Sequence, residues 1–459
     1  MATVEKRGNS YRITVSNGYD LKGNQIKRRM TWTPDGGMTE RQIQKELERQ
    51  KVLFEEKVKT GQVMQGSTRF AEFTDFWLKE YGEKQLRPST ISRYRDMLVR
   101  INQGIGNIRL DHLLPNHLIQ FYNELSQDGS RLDYNYKSRI DMVELLNSKK
   151  LTRQALSELS GLSVRTVSLA VRGESIAATS AQKISDTLKV PLNKIFSKVD
   201  DKQCLSNQTI LHYHRLISSI LEKAVKWQVI FSNPCHRVEA PKPEKKEALY
   251  WDEVQASKAL TYLKSEPLKY QAMITLLLYS GMRRGELCGL EWSNIDFEKG
   301  IVNINKTSQY LKDKGIFDDK TKTYSSVRVT KIPPEAIDII RMYRREQIEL
   351  RLKLGDRWVE SNKVFTQWDG RPIYPGSITQ WFRKFIKRYD LPPITLHGLR
   401  HTNATLLIAG GTDIRTVAAR LGHSNTSTTT NIYAHAIQSA DERASELLGN
   451  LLEPVSKKA

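Results

Sequence analysis

HGLRH, at residues 397–401, sets two histidines four positions apart with an arginine between them. On a helix His397, Arg400 and His401 share one face, because positions three and four apart fall together. A histidine pair at i, i+4 is the spacing of a zinc ligand pair. A permanent guanidinium charge repels a divalent cation in a dry site, whereas donors and cations aimed at one spot suit an oxyanion or a phosphate. Four other stretches carry groups of the same kind. SGMRRGELCGLEW places Arg283 just after a helix-ending turn at Gly281, where a side chain can leave a rigid helix and enter a cleft. KTKTYSSVRVTKIP places Lys320 and Lys322 on a loop before a strand, RLGHSN places His423 after a glycine, and TSTTTNIYAHA places Tyr433 ten residues further on.

The elements that must position these groups belong to a long, basic chain. Its 459 residues exceed what one ordinary core holds and point to about three domains. The 72 Lys+Arg against 51 Asp+Glu give a net charge of +21, spread along the chain, which attracts polyanions and favours a nucleic-acid partner. No apolar run reaches the ~18 residues of a membrane span, and the charged start MATVEKRGN is unlike a signal peptide, so a soluble, cytoplasmic protein with no membrane partner is expected. Cys204, Cys235 and Cys288 are too few and scattered for a disulfide framework or a cysteine-rich metal site. A reducing compartment and packing roles fit all three.

Near the start, alternating runs at 11–16 and 25–32 flank a Gly/Asp/Asn-rich turn, the pattern of a hairpin with Lys27 and Arg29 on one side. Such a face can lie on DNA. TERQ then reads as a capping box with Thr39 as N-cap and Gln42 at N3, opening a helix whose stripe is Ile43, Leu47, Phe54 and Val58. Past a polar linker, FAEFTDFWLKEYGE, PSTISRYRDMLVRINQGIG and LPNHLIQFYNELSQDG read as helices, and a fourth, SNQTILHYHRLISSILEKAVKW, appears only after residue 205. Between the third and fourth lies LTRQALSELSGLSVRTVSLAVRGES, a helix, a glycine turn and a second helix. Arg165, Ser168 and Arg172 fall on one face of that second helix, with Val167 and Ala170 opposite. Residues 137–198 hold eleven Lys/Arg against five Asp/Glu, a surplus of six positive charges. This stretch resembles the five-helix, repressor-type helix-turn-helix domains; the alternative is an ordinary two-helix packing corner. EAPKPEKKEALYW is a linker, after which a last domain holds the apolar helix QAMITLLLYSG, a hairpin from Ile301 to Ile332, and the reactive stretches.

Together those stretches resemble the tyrosine recombinase (phage integrase) family, in particular the integrases of phages and conjugative transposons. The family's T/S-G-x-R-x-x-E box falls on Arg283 and Glu286, its hairpin lysine on Lys322, its H-x-x-R pair on His397 and Arg400, its His after Leu-Gly on His423, and its terminal tyrosine on Tyr433. Each box alone is weak, but all occur in order between residues 283 and 433. The resemblance implies a multidomain, mainly α chain with small β-sheets. Its expected parts are an arm-type DNA-binding module of sheet plus helix (1–64) and a helical core-binding domain (68–129 and 204–241) interrupted by an all-α helix-turn-helix insert (130–203). A mixed α/β catalytic domain (248–445) and a tail (446–459) follow. The tail stretch DERASELLGNLLEP would be an amphipathic helix whose Leu447, Leu448, Leu451 and Leu452 dock on a neighbouring protomer, as is common in the family.

The implied activity is cutting and rejoining of DNA strands through a 3'-phosphotyrosyl link, to integrate or excise a mobile element, with no cofactor and no metal. A phenol can hold the strand covalently, so Tyr433 is the expected nucleophile. Arg283 and Arg400 clamp the charge that gathers on the non-bridging oxygens. His397 takes the phenol's proton, His423 donates to a phosphate oxygen, and Lys322 protonates the departing 5'-hydroxyl. Lys320 competes for that last role, but the run from Lys322 to Arg328 matches the family's K-T-x-S-S-x-R. Glu286 is expected to orient Arg283, and His401 to act as an orienting or packing histidine. Expected partners are double-stranded DNA at core and arm sites, three further copies in a homotetramer, and an excisionase or a host DNA-bending protein. The rival readings are a transcriptional regulator working through the helix-turn-helix, and a type IB topoisomerase, which uses the same chemistry.

Overall fold

The computed structural model describes residues 2–19, 22–59, 68–128, 130, 135–199, 204–244, 247–320, 327–423 and 430. The chain divides into two compact units, residues 1–244 and 245–459.

The first unit holds three separate cores. Strands β1 (Thr3–Arg7), β2 (Ser10–Tyr19) and β3 (Gln25–Trp32) form an antiparallel sheet in that order, under helix α1 (Glu40–Lys59). β3 alternates strictly, with Lys27 and Arg29 exposed, Ile26 half-buried on the other face, and Met30 packed against the core that holds Phe54 and Val58 of α1. Ile13 and Val15 of β2 are buried against Phe54 and Val58. The side chain of Gln42 accepts the Thr39 N–H at 2.9 Å, closing the first turn of α1. The expected hairpin is thus a three-stranded sheet. β1 is exposed along its whole length, so as an edge strand it carries no apolar alternation to reveal it.

Helix α2 (Phe70–Trp77), a π-helical turn at Leu78–Gly82, the short α3 (Glu83–Gln85), α4 (Pro88–Ile105) and α5 (Pro115–Ser126) form most of the second core. The fourth long helix arrives only after an insertion, in which β4 (Asn135–Ser138) precedes α6 (Met142–Ser148), α7 (Arg153–Ser160) and α8 (Val164–Val171), and β5 (Ile176–Ala177) precedes α9 (Ala178–Leu188), α10 (Leu192–Ile195) and β6 (Phe196–Lys198). Helix α11 (Asn207–Lys226) then completes the second core, packing Ile217 and Ile220 with Trp77, Ile101 and Leu118. Gly104 lets α5 approach α4, since a Cβ there would lie 2.5 Å from a ring carbon of Phe121.

The insertion has its own core around Leu156, Val167, Ala170 and Ile184. Thr152 and Ser163 cap α7 and α8, accepting the N–H groups of Ala155 and Thr166, and Gly161 takes the left-handed conformation between them. The five helices are those expected, but the insert is not all-α. Its strands pair in the order β5-β4-β6, with the Val199 N–H donating to Asn135 O at 2.9 Å. Strands of two to four residues are too short for periodicity to announce. Their pairing brings the chain out of the insert beside the point where it entered.

Near the start of the second unit stands Trp251, fully buried, whose backbone N–H donates to Thr402 Oγ1 and whose indole N–H donates to Pro392 O, both at 2.9 Å. Helix α12 (Glu253–Leu263) follows, capped by Asp252, then α13 (Leu268–Ser280), buried on nearly all sides as its unbroken apolar run requires. Next come α14 (Arg284–Gly289) and the strands β7 (Ile295–Asp296), β8 (Ile301–Ile304), β9 (Lys306–Leu311), β10 (Gly315–Lys320) and β11 (Arg328–Lys331). Helices α15 (Pro334–Leu354), α16 (Pro375–Arg388), α17 (Gly398–Ala409) and α18 (Ile414–Leu421) complete the unit, with α15 and α17 packed against α13. The single hairpin expected over Ile301–Ile332 is two ladders. β8 pairs with β7 and β11, and the chain breaks at Asn305 so that β9 and β10 pair as a separate ribbon.

Of the cysteines, Cys235 and Cys288 are buried as expected, whereas Cys204, just before α11, is exposed. No helix among the described residues is long and apolar enough to cross a membrane.

Candidate active site

The site is built around the turn that ends α13. Gly281 has φ of +62°, and a Cβ there would lie 2.5 Å from Leu421 Cδ2 and 2.8 Å from Asn403 Oδ1, so only glycine lets the chain turn against α17 and α18. Two residues on, Arg283 stands at the N-cap of α14 and Glu286 at its third position. The Glu286 carboxylate accepts the Arg283 backbone N–H at 2.9 Å and Arg283 Nη1 at 2.8 Å. It also accepts Arg328 Nη2 at 2.9 Å, from β11. Burial raises the Glu286 pKa, but the charges and hydrogen bonds of Arg328 and Arg283 outweigh it and hold the carboxyl below its ordinary range.

Backbone carbonyls add further ties to the guanidiniums. Arg400, buried in the first turn of α17, donates from Nη1 to Gly281 O at 2.7 Å. Arg283 Nη2 reaches Gly422 O at 3.4 Å, next to His423. Arg328 Nε donates to Arg420 O at 2.7 Å, and Arg420 in turn donates to Tyr279 O at 2.7 Å and Lys331 O at 3.0 Å. The segments around Gly281, Arg328, Arg400 and His423 are therefore sewn into one cluster.

His397 sits at the N-cap of α17 with its ring edge-on to His401, centroids 4.9 Å apart. Burial, then the charges of His401, Arg400 and Arg283, push the His397 pKa down to about 4. His423 is likewise held at about 4, by burial and by Arg400, Arg283 and Arg328. His401 is shifted the same way by burial and Arg400. His397 and His423 are therefore neutral at pH 7. No group of three or more His, Cys, Asp or Glu that could hold a metal occurs among the described residues. The cluster has the chemistry to receive a doubly contacted anion: two arginines held in fixed directions and two neutral imidazoles, each able to give or accept a proton.

Arg283, Glu286, His397, Arg400, His401 and His423 are thus brought together. Lys322 and Tyr433 lie outside the described residues, as do Leu447, Leu448, Leu451 and Leu452 of the tail. Lys320, expected on a loop, is instead the last residue of β10, because the β9–β10 ladder runs on to its pairing in register with Lys306. In the first unit Lys27 and Arg29 share the exposed face of β3. Arg165 is exposed and Ser168 half-buried on α8, with Val167 and Ala170 in the core behind them. Arg172 lies just past the end of α8, where its N–H bonds back to Ser168 O and its guanidinium stands 3.5 Å from Glu174. The bridging of Glu286 to Arg328 and the role of Arg420 were not expected. Arg328 was visible only as the last letter of a motif.

The chain is similar in sequence and in fold to known proteins. The phage integrase family matches residues 249–439, the SAM-like N-terminal domain of phage integrases residues 69–126, and a helix-turn-helix family residues 143–195. A "Tyrosine recombinase XerC-like" protein of Caldanaerobacter subterraneus subsp. tengcongensis is 32% identical over 286 residues, 59% of this chain and 72% of the relative. The ICEBs1 integrase of Bacillus subtilis is 27% identical over 248 residues, 54% of this chain and 67% of the relative. Among solved structures, the Tn1549 transposon integrase in complex with a circular intermediate DNA shares the fold with a TM-score of 0.56 at 17% identity, covering 83% of this chain and all of that one. The chain belongs to the tyrosine recombinase (phage integrase) family. It is a site-specific DNA recombinase, an enzyme that cuts and rejoins strands through a tyrosine nucleophile, with a helix-turn-helix insertion.

Proposed function

We propose that Tyr433 is the nucleophile and that the Arg283, Arg400, His397 and His423 cluster is the pocket for the scissile phosphate. The observation that carries this reading is that both guanidiniums are held in fixed directions, Arg400 by Gly281 O at 2.7 Å and Arg283 by Glu286 at 2.8 Å with Gly422 O at 3.4 Å. Tyr433 Oη bonds to phosphorus while the bond from phosphorus to the 5'-oxygen breaks. The phenol's proton passes to neutral His397, and the leaving oxygen takes a proton from the Lys322 ammonium. Arg283 and Arg400 hold the non-bridging oxygens as charge builds on them, and His423 donates to one of these oxygens. Glu286 keeps Arg283 in line, and His401 sets the ring of His397. Rejoining is the reverse, with the strand's bond energy stored in the phosphotyrosyl link.

The domains then divide the labour. Residues 68–129 and 204–241 grip the core site with 248–445, residues 1–64 hold arm sites through Lys27 and Arg29, and 130–203 reads a further duplex through Arg165, Ser168 and Arg172. The tail, 446–459, links copies in a homotetramer on DNA. An excisionase or a host DNA-bending protein sets the direction of the reaction, and the protein works in the bacterial cytoplasm at the nucleoid.

The test is Tyr433→Phe in the full chain with a nicked suicide substrate. The variant should keep site binding and lose the covalent adduct, which in the wild type should map by peptide sequencing to Tyr433. An adduct that survives in Y433F, or maps elsewhere, rejects the assignment.

A further inference from the structure

Lys363 is a lysine with its ammonium almost wholly buried, on an irregular stretch between α15 and α16, and the phosphate chemistry above does not use it. Its side chain is 5% exposed. Its Nζ donates to Gly289 O at 3.1 Å, to Glu291 Oε1 at 3.2 Å and to the carboxylate of Asp318. Three acceptors from three segments match the three protons of an ammonium, so the group is satisfied and its direction fixed. The segments are the last turn of α14, the chain just beyond it, and strand β10.

Both ends of this clamp bear on the reaction. Arg283 is the N-cap of α14, which ends at Gly289, the residue whose carbonyl Lys363 takes. β10 ends at Lys320, two residues before Lys322 in the sequence. The β9–β10 ribbon also lies hard against α14. A Cβ on Gly285 would stand 2.3 Å from Thr307 Oγ1, and one on Gly289 3.0 Å from the backbone nitrogen of Ser308, the residue paired in register with Asp318. Lys306, on the same ribbon, adds a second tie to Glu291, at 2.8 Å.

We propose that Asp318 and Lys363 are positioning residues for the leaving-group proton donor: their ion pair locks the ribbon that leads to Lys322 onto the helix that Arg283 caps. The inference rests on the reading of Lys322 as the general acid. A ribbon held only by its own ladder could slide or lift over α14. A buried ammonium bonded to both pieces sets their spacing, and a misplacement of about 1 Å of a catalytic group can cost on the order of 100-fold in rate.

The test compares Asp318→Asn in the full chain on two suicide substrates, one with the ordinary 5'-bridging oxygen and one with sulfur in its place. Sulfur departs as a thiolate and needs no proton, so the second substrate bypasses a misplaced acid. The rate ratio between substrates is read on one preparation, so it is independent of the fraction of molecules correctly folded. D318N should cleave the oxygen substrate roughly 10- to 100-fold more slowly than wild type. It should cleave the sulfur substrate at close to the wild-type rate. A substrate ratio equal to the wild type's, whether cleavage is slow or normal on both, overturns the positioning role. Lys322→Ala, run in parallel, judges the underlying reading separately. An unchanged ratio in K322A dismisses Lys322 as the acid, whereas a changed ratio in K322A with an unchanged one in D318N leaves Lys322 standing and dismisses the clamp.

Discussion

Glu286→Gln strikes the group on which two of the three central arginines depend. The carboxylate takes Arg283 Nη1 at 2.8 Å, the Arg283 N–H at 2.9 Å and Arg328 Nη2 at 2.9 Å. Glu286 and Arg328 are both buried, with side chains 4% and 5% exposed. Removing one partner of a buried pair costs about 3–5 kcal/mol, because the other charge stays behind. The Arg283 side chain is 39% exposed, so its pairing is worth at most about 1 kcal/mol. The amide oxygen of Gln can still accept one donor, returning about 1 kcal/mol. The net loss is about 3 kcal/mol, which in a unit of this size lowers the melting temperature by roughly 6–12 °C. Scanning calorimetry of the full chain at pH 7, following the transition of the second unit, measures it. The sign with pH is also set. The folded-state carboxyl titrates below its unfolded value, so its contribution is complete above the unfolded pKa, about 4.3, and disappears as pH falls through the folded one. E286Q should therefore converge on the wild type in acid. A transition within 1 °C of wild type at pH 7 would refute the bridging role. So would failure of Glu286→Leu with Arg328→Met to recover stability over E286L alone, since deleting both charges removes the stranded one.

Two further outcomes can be checked directly. His397 and His423 are held at about 4 by burial and the surrounding guanidiniums, so from pH 6.5 down to 4 the unfolded chain binds protons that the folded chain does not. The stabilisation is full above pH 6.5 and fades towards pH 4, and H397N/H423N should flatten that part of the stability profile; an unchanged pH dependence of melting would contradict it. Arg165→Ala with Arg172→Ala should lower the slope of log affinity against log salt for DNA carrying the insert's site by about 1 to 2. An unchanged slope would mean that neither side chain meets a phosphate.

How much of this could be read from the sequence depends on how local the signal is. Arg283, His397, Arg400 and His423 sit at helix ends and turns whose signatures span a few residues, such as the left-handed Gly281 before a capping Arg283 and Glu286. The two-helix head with Thr152, Gly161 and Ser163 at its caps is legible for the same reason. What escapes is set by distance along the chain or by shortness. Arg328 meets Glu286 across 42 residues, and Lys363 meets Glu291 across 72, because β11 and the segment before α16 are delivered to α14 by the tertiary fold. β1 has no buried face, β5 has two residues, and the break at Asn305 that splits one hairpin into two ladders leaves no mark in composition. Cys204 illustrates the same limit, since burial of a lone cysteine depends on what folds over it.

The choice of partners for the arginines has a consequence for the chemistry. A carboxylate fixes a guanidinium but also cancels its field, whereas a main-chain carbonyl fixes its direction and leaves the net charge in place. Arg400 is held by Gly281 O, whereas Arg283 is held by both kinds of partner, Nη1 by Glu286 and Nη2 by Gly422 O, and the single Glu286 charge is shared with Arg328. With both histidines neutral, the free pocket keeps a positive charge it did not have to gather when the substrate arrived, and rigid turns spare it reorganisation as charge moves onto phosphorus oxygens. Burial first, and then that same unbalanced charge, depress the histidine pKa values. An entering phosphate offsets it and should draw protons onto the imidazoles, so proton uptake on binding at pH 6 and a pocket left with unbalanced guanidinium charge are two expressions of one electrostatic design.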